Sequence, residues 1–331
     1  MKSKRNFFIY VVIATALILS ALLSVFVGSA KLSIHSMVCG ILGREGYSFE
    51  RTIMLSVRLP RLLASIISGI GLSLSGVLLQ GVMGNDLASP NTIGVSSGAG
   101  LMAVICLSAF PNLSHLLPIG AFFGAFLTSL LILALSRAAG GGKATVVLAG
   151  IALTSLFGAG ISFLSIIDTD VLASYSAFSV GGFSGVAAER LILPAALIAI
   201  CLVFAIGFSG RIAVLSLGDG MAAGLGIRPA ALRTFCLMIA SMSAAAVISF
   251  AGLLGFVGLV VPHMTRRIVG AEMKAQLTAA PMLGAILVTL SDLAGRVLFA
   301  PSEISVGIVM AFIGAPFFFI LLLKRRNGGY A

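Results

Sequence analysis

Long stretches without a charged residue limit most strongly how this chain can fold. Eight such windows hold most of its 331 residues, at 6–30, 62–85, 87–136, 144–167, 191–210, 234–265, 275–291 and 304–323. An α-helix needs ~20 apolar residues to cross the hydrocarbon core of a bilayer, so these windows have the length of membrane spans. We therefore expect an all-α integral membrane protein.

Two of the windows predict a pair of helices each. The window 87–136 is twice as long as one span and is interrupted by Pro111-Asn112. The window 234–265 is interrupted by three glycines, Gly252, Gly255 and Gly258. Ten spans follow, and they occupy residues 1–331 as one transmembrane domain that leaves no room for a separate soluble catalytic domain. The first apolar run, 7–28, is too long for a signal peptide and is expected to remain as the first span.

The basic residues set the expected orientation of these spans. A net charge of +11 is typical of nucleic-acid binding, but the bases form short clusters between apolar runs, so no nucleic acid is expected as a partner. With both termini in the cytoplasm, 14 of the 21 Lys and Arg residues face inward, whereas the opposite orientation places seven there. The positive-inside rule favours the first arrangement. The inward set is Lys2, Lys4, Arg5, Arg137, Lys143, Arg211, Arg228, Arg233, Arg266, Arg267, Lys274, Lys324, Arg325 and Arg326.

Two polar segments do not fit a membrane span. Residues 168–190 form an extracytoplasmic loop and residues 209–233 a cytoplasmic loop, and each is expected to contain a short helix outside the hydrocarbon. In the cytoplasmic loop, Leu217 and Leu225 lie eight residues apart, which gives a short helix one apolar side. Such a helix either rests on the membrane surface or docks a partner protein.

Arginines at the outer end of two spans need a separate explanation. Arg58 and Arg61 begin the second span, on the side that the positive-inside rule disfavours for bases. Their side chains either reach the lipid headgroups or bind carboxylates of a docking protein. Asp292 lies four residues before Arg296, so helical spacing predicts an ion pair that directs Arg296 outward. Asp292 is also the one candidate for an acidic group that couples transport to an ion gradient.

Catalytic motifs are incomplete in this sequence. The run Gly140-Gly141-Gly142-Lys143 lacks the first glycine and the Ser or Thr of a nucleotide-binding loop, and the G-x-S-x-G run at 94–98 lacks a histidine partner. The four cysteines have no metal-ligand spacing. We expect no catalytic residue, no metal site and no enzymatic activity.

Taken in order, short motifs along most of the chain resemble those of the permease subunits of bacterial ABC importers for iron-siderophores, haem and vitamin B12, the FecCD-type permeases. The similarity lies in Arg58-Leu59-Pro60-Arg61, Ser75-Gly76 with Gln80, Asp292 with Arg296, and the segments 85–90, 94–99, 148–150, 217–226, 255–263, 303–308 and 314–317. Several positions depart from the family pattern. Asp86 replaces the usual Pro, Asp219-Gly220 replaces two acids, Ile304-Ser305 replaces a frequent Leu-Pro, and the segment 175–185 lacks the Trp that is common nearby.

The resemblance implies an architecture and a set of partners. Each subunit of the family has ten helices, with spans 2–5 and 7–10 related as inverted repeats. Two permease subunits surround a central pathway, as a homodimer or as a pair of paralogues. Two cytoplasmic subunits bind ATP and Mg and hydrolyse the nucleotide, so this chain binds no cofactor. An extracytoplasmic binding protein delivers the substrate.

The resemblance also implies roles for individual residues. Arg58, Arg61 and Arg296 are expected to contact acidic residues of the binding protein. The segment 217–226 is expected to be the coupling helix in a groove of the ATPase, through Leu217, Gly218, Asp219, Ala222, Leu225 and Gly226. The cytoplasmic gate is expected at Asn85, Lys143, Ala144 and Thr145.

The expected function is therefore that of a permease in the cytoplasmic membrane, which imports a ferric siderophore by alternating access. Haem and cobalamin are alternative cargoes of the same machinery. A secondary transporter driven by an ion gradient and an intramembrane enzyme are alternatives from other classes of protein.

Overall fold

The computed structural model describes residues 2–29, 32–113, 115–140 and 142–327. Within these ranges the chain is helical and contains no strand, which confirms the predicted all-α fold. Seven basic side chains predicted on the cytoplasmic side lie outside this described part, namely those of Lys2, Lys4, Arg5, Lys143, Lys324, Arg325 and Arg326.

The described residues of the first half of the chain form eight α-helices. They are α1 (Lys2–Phe26), α2 (Ile34–Ile41), α3 (Ser48–Thr52), α4 (Leu59–Met83), α5 (Pro90–Ile93), α6 (Val95–Ala109), α7 (Leu116–Ala138) and α8 (Lys143–Ile167). The helix α4 ends at Gly84, which has the left-handed φ of 59° that glycine adopts without strain. The short helix α5 is fixed by a capping box in which Ser89 and Thr92 bind each other's backbone amides.

In the second half, the part of the chain that the structure describes also forms eight α-helices. They are α9 (Thr169–Val180), α10 (Ile192–Gly207), α11 (Ser209–Ser216), α12 (Asp219–Gly224), α13 (Pro229–Ala251), α14 (Val257–Val269), α15 (Met273–Val297) and α16 (Val306–Asn327). A turn of 3-10 helix at Ala188–Leu191 precedes α10.

Seven stretches of helix among the described residues are long and apolar enough to cross a membrane. They are Phe7–Phe26, Ser48–Met83, Leu116–Ala138, Ala144–Ile167, Ala188–Gly207, Pro229–Ala251 and Met273–Val297. Two apolar helices, Val95–Ala109 and Val306–Leu321, are shorter than this limit. The fold is therefore that of a membrane protein with many spans, and the count of ten stays a prediction.

The helix α4 lies at the centre of the bundle. It packs against α13, α14 and α15, and most of its length is buried. Gly69 of α4 approaches Gly284 of α15, and Gly76 approaches Gly258 of α14, so closely that a Cβ atom on either α4 residue would collide with the facing backbone. Small residues allow this approach of helix backbones in a membrane, where dispersion contacts rather than water drive association.

Three predicted boundaries are corrected. The second span begins at Ser48 rather than at Arg58, because a π-helical turn at Ile53–Arg58 joins α3 to α4 without a break. The loop predicted over 209–233 ends before Pro229, because the proline ring presets the φ angle of a first helical residue and α13 starts there. The break predicted between 252 and 258 lies at 252–256, and Gly258 belongs to α14.

Candidate functional site

Five charged residues meet where α4 begins and α15 ends, and we call them the arginine cluster. They are Arg58, Arg61, Asp292, Arg296 and Glu303. Arg58 ends the π-helical turn that precedes α4, and Arg61 lies three residues later in α4. The helix α15 supplies Asp292 and Arg296 on one face, four residues apart. Glu303 comes from the loop between α15 and α16. The close packing of α4 on α15 brings the two pairs together.

The guanidinium group of Arg61 bridges two carboxylates. Its Nε atom lies 3.0 Å from both oxygens of Asp292, and its Nη2 atom lies 3.0 Å from Oδ1. Its Nη1 atom donates to Oε2 of Glu303 at 2.6 Å. Asp292 also pairs with Nε of Arg296 at 3.1 Å, which is the ion pair that the sequence predicts. Planar, multiple hydrogen bonds of this kind fix an arginine more firmly than a single contact does.

The other two arginines bind the end of α1. Arg58 donates from Nη1 to the carbonyl oxygen of Val25 at 2.6 Å and to that of Phe26 at 3.1 Å. Arg296 donates from Nη2 to Oγ of Ser24 at 2.8 Å and to its carbonyl oxygen at 3.1 Å. The last carbonyls of a helix have no partner within the helix and carry partial negative charge, so two cations stabilise the α1 terminus.

Burial changes the expected picture of these arginines. Only 4% of Arg58, 8% of Arg61 and 4% of Arg296 is exposed, so none of them reaches outward to headgroups. The expectation that Asp292 directs Arg296 outward is wrong, because Arg296 points to the end of α1. Three buried cations next to two carboxylates leave the cluster with an excess of positive charge. This excess makes the cluster a suitable site for an additional carboxylate.

Glu303 is the member of the cluster that the sequence analysis did not select. Its Oε1 atom accepts a hydrogen bond from Oγ of Ser29 at 2.9 Å, and its Oε2 atom accepts the bond from Arg61. Burial by itself raises the pKa of Glu303, but these two hydrogen bonds and the charges of Arg61 and Arg296 outweigh it and lower the pKa below its usual value. Glu303 is therefore a carboxylate at neutral pH. Its place within the motif 303–308 is the only sequence signal for this role.

A cavity of about 660 Å³ opens beside the arginine cluster, and we call it the mouth cavity. Arg61 and Glu303 form part of its wall, together with four serines and three phenylalanines: Ser174, Ser176, Ser184, Ser305, Phe178, Phe183 and Phe250. Oγ of Ser305 donates to the carbonyl oxygen of Gly181, just after α9. The cavity thus combines hydroxyl groups and aromatic rings, a lining that suits a small amphipathic molecule.

The predicted coupling segment forms α12 and the residues on either side of it. Leu217 is 65% exposed and Leu225 is 65% exposed, as their spacing predicts for one apolar side. Met221 lies midway between them and is 58% exposed, so the apolar stripe has a third member that the sequence analysis missed. Ala222 is completely buried, and Gly218 and Gly226 have left-handed φ angles of 121° and 77° that end the segment on both sides. Three exposed apolar side chains in line are suited to a groove in another protein.

Asp219 fastens this segment to the bundle. Its Oδ1 atom lies 2.6 Å from Nη2 of Arg233, a residue of α13 that is 8% exposed. The helix α11, which precedes the segment, packs on α4 near Gly81. Arg61 and Gly81 are twenty residues apart on the same helix, which corresponds to ~30 Å at a rise of 1.5 Å per residue. The coupling segment and the arginine cluster therefore lie at opposite ends of the bundle.

The predicted gate residues occupy two separate turns. Oδ1 of Asn85 accepts from the amide of Leu87 at 3.0 Å, which closes the turn after α4. Oγ1 of Thr145 binds Oγ of Ser136 at 2.8 Å and fastens the start of α8, where Ala144 lies, to α7. The side chain of Lys143 lies outside the described part. Among the described residues no hydrogen bond joins the two turns.

Asp86, which stands where the family usually has Pro, forms a contact between two parts of the bundle. Its carboxylate forms an ion pair with Arg266, and so it connects the turn after α4 to α14. Both side chains are partly exposed, so water weakens this pair relative to those of the arginine cluster.

As for metal ligands, no group of three His, Cys, Asp or Glu side chains lies together in the ranges that the structure describes.

Comparison with known proteins identifies the family. The profile of the FecCD transport family matches residues 16–324. The chain is 34% identical to the Fe(3+)-citrate import system permease protein YfmE of Bacillus subtilis over 322 residues, which are 97% of this chain and 96% of YfmE. It is 35% identical to the hemin transport system permease protein HmuU of Yersinia pestis over 83% of this chain and 84% of HmuU.

A solved structure supports the same assignment. It is a metal-chelate type ABC transporter in an inward-facing conformation, and it superposes on this chain with a TM-score of 0.84 and 30% sequence identity. The superposition covers 94% of this chain and 97% of that chain. The matched residues run through both the arginine cluster and the coupling segment. The chain is therefore a member of the FecCD transport family, a membrane permease rather than a catalytic subunit.

Proposed function

We propose that this chain is the permease subunit of an ATP-binding-cassette importer that carries a ferric chelate across the cytoplasmic membrane. One observation carries the proposal: two surfaces suited to protein partners lie at opposite ends of the same bundle. The arginine cluster suits an acidic partner, and the apolar stripe of Leu217, Met221 and Leu225 suits a groove. A transporter that is loaded from one side and powered from the other needs both surfaces.

The apolar stripe is the proposed contact with the ATPase. ATP and Mg are bound by two such partner subunits, and closure of these subunits moves α12. The ion pair of Asp219 with Arg233 connects α12 directly to α13. Movement of α12 is therefore transmitted to α13 through this pair as well as through the connecting loop. The helix α13 packs against α4, so the movement is passed on from α13 to α4. The proposed result is alternating access in a pathway formed with a second permease subunit, either identical or paralogous.

The arginine cluster is the proposed contact with an extracytoplasmic binding protein. Acidic side chains of that protein are attracted by the excess positive charge of Arg58, Arg61 and Arg296, and such complementarity speeds association as well as strengthening it. This assignment goes with the orientation in which both termini are cytoplasmic, residues 168–190 are outside and residues 209–233 are inside. The turns at Asn85 and at 143–145 then lie on the cytoplasmic side, where we propose the inner gate.

The proposed cargo is a ferric siderophore. The relatives named above transport Fe(3+)-citrate and hemin, and both cargoes are iron chelates. The mouth cavity of about 660 Å³ lies within the range of small-molecule sites, which is ~300–1,000 Å³. Its serine hydroxyls suit the oxygen-rich surface of a siderophore, whereas haem and cobalamin remain the alternative cargoes.

Uptake measurements on purified components test the proposal. The chain is placed in proteoliposomes alone, with its ATPases, and with ATPases and binding protein, and uptake of a radioactive ferric siderophore is measured with and without ATP. We expect uptake only in the complete system with ATP. Uptake by the chain alone in response to an ion gradient would instead identify a secondary transporter. A pull-down from membranes with this chain, followed by mass spectrometry, identifies the partners.

A further inference from the structure

The arginine cluster contains two carboxylates, and they differ in how easily each can separate from Arg61. Asp292 is 1% exposed and is held by both Arg61 and Arg296. Removing one partner from a buried pair is strongly destabilising, because the charges that remain are not compensated. The side chain of Glu303 is 31% exposed, so water can solvate its carboxylate when it moves away. Asp292 therefore stays bound to the arginines, whereas Glu303 can be replaced on Arg61 by another carboxylate.

Glu303 also separates two cavities. One is the mouth cavity, and the other is a smaller cavity of about 180 Å³ that is lined by Arg58, Arg61 and Arg296 together with Glu303. A water molecule occupies ~30 Å³ of liquid volume, so the smaller cavity has room for several waters or for the end of one acidic side chain. A carboxylate that enters this cavity meets Arg61 at the position where Glu303 already binds it.

The segment that follows Glu303 is tied to the mouth cavity. The amide of Ile304 donates to the carbonyl oxygen of Gly295 at 2.9 Å, and Ser305 donates from Oγ to the carbonyl oxygen of Gly181. The amide of Gly307 donates to the same oxygen of Gly181 at 3.3 Å. Movement of Glu303 away from Arg61 therefore pulls directly on the wall where α9 ends and α16 begins.

We propose that Glu303 is a built-in occupant of the docking site, which a carboxylate of the partner protein replaces on Arg61, and that its release loosens residues 303–307 and opens the mouth cavity. This inference rests on the proposed function, because it takes the arginine cluster as the docking site. The release requires no change in the pair of Arg61 with Asp292. Docking and opening are then one event, since the same arginine cannot hold both carboxylates in one position.

Hydrogen exchange of the full chain in lipid nanodiscs tests the release without any partner. Glu303→Gln removes the charge and keeps the shape, and we expect amides of 181–184 and 304–309 to exchange about tenfold faster than in the unchanged chain. Glu189→Gln, on another exposed glutamate, is the matched control and should leave these amides unchanged. Unchanged exchange in Glu303→Gln would overturn the proposal. Glu303→Asp should restore slow exchange, which separates a lost charge from a misfolded chain.

Ser305→Ala tests the connection between Glu303 and the cavity wall. This variant leaves every arginine pair in place, so we expect faster exchange at 181–184 but unaltered affinity for the binding protein. Slow exchange at 181–184 in this variant would refute the connection. Because both exchange experiments use the chain by itself, their results do not depend on whether the chain imports a siderophore.

Affinity for the binding protein captured by the pull-down tests the competition. Without the internal carboxylate, Glu303→Gln should bind this protein about tenfold more tightly, whereas Arg61→Gln should bind it more weakly. Weaker binding by Glu303→Gln would show that Glu303 itself contacts the partner, and it would overturn the competition. If no binding protein is captured at all, the proposed function fails, and the exchange data alone decide whether Glu303 holds the mouth closed.

Discussion

Asp292 offers a sharp test of how charge is arranged in the bundle. In Asp292→Asn, the buried guanidinium groups of Arg61 and Arg296 lose the carboxylate they share, while their hydrogen-bonding geometry changes little. Breaking a buried pair in this way costs ~3–5 kcal/mol of the free energy of unfolding. Asp86→Asn is the matched control, because Asp86 pairs with an arginine whose side chain is 33% exposed, and such pairs contribute ~0–1 kcal/mol.

Unfolding by SDS in mixed micelles, followed by circular dichroism, measures both variants on the same scale. We expect Asp292→Asn to lower the unfolding midpoint far more than Asp86→Asn does. The double variant Asp292→Asn with Arg296→Gln should recover part of the loss, because it removes one of the two uncompensated cations. Equal effects of the two single variants would refute the argument that burial sets the strength of these pairs.

Three further predictions concern coupling, pH and helix packing. Met221→Glu should reduce uptake driven by ATP at least about tenfold, because it places a charge in the apolar contact with the ATPase. For Glu303, the lowered pKa means that the stabilising bond to Arg61 is fully present at neutral pH and is lost as the pH falls below the usual carboxylate value of 4.5. The protection factors of amides 304–309, which correct the exchange rate for its intrinsic dependence on pH, should therefore be constant from pH 7 to 5. Gly76→Ala should destabilise the bundle by ~1–3 kcal/mol, because its Cβ collides with the carbonyl of Gly258.

Each of these predictions has a control and a contradicting result. Met221→Leu keeps the apolar contact and should transport normally, and normal uptake by Met221→Glu would exclude the stripe from the ATPase contact. Protection factors that already fall between pH 7 and 6 would contradict the lowered pKa of Glu303. Gly158→Ala, at a glycine of α8 with open space around it, controls for the loss of a helical glycine itself, and stability equal to that of Gly76→Ala would contradict the close approach.

The membrane-spanning helices follow from the sequence because hydropathy and helix breakers are local properties. Pro111-Asn112 separates α6 from α7, and the glycines after residue 251 separate α13 from α14. The predicted start of the second span, at Arg58, is too late, because a charged residue normally ends an apolar stretch. In the folded chain Arg58 is enclosed by α1 and α2, so a charged residue continues a buried helix there.

The sequence indicates which arginines matter, but it does not indicate which groups they bind. Spacing alone predicts the pair of Asp292 with Arg296, since both lie on one helix. The pair of Arg61 with Asp292 joins residues 231 positions apart, and no local pattern reports such a contact. Likewise, Arg58 and Arg296 bind α1 mainly through backbone carbonyls, which every residue carries and which therefore leave no trace in the sequence; the one side-chain contact, from Arg296 to Ser24, joins residues 272 positions apart.

The arginines that cap α1 have a consequence for synthesis of the chain. Translation inserts α1 and α4 into the membrane early, when Arg58 can already reach the carbonyls of Val25 and Phe26, but Arg61 has to wait for Asp292. Until about nine tenths of the polypeptide has been made, this guanidinium is an unneutralised cation at a bilayer surface. A chain that ends before Asp292 keeps that charge without its partner, so the same contacts that stabilise the finished permease also distinguish it from an incomplete one.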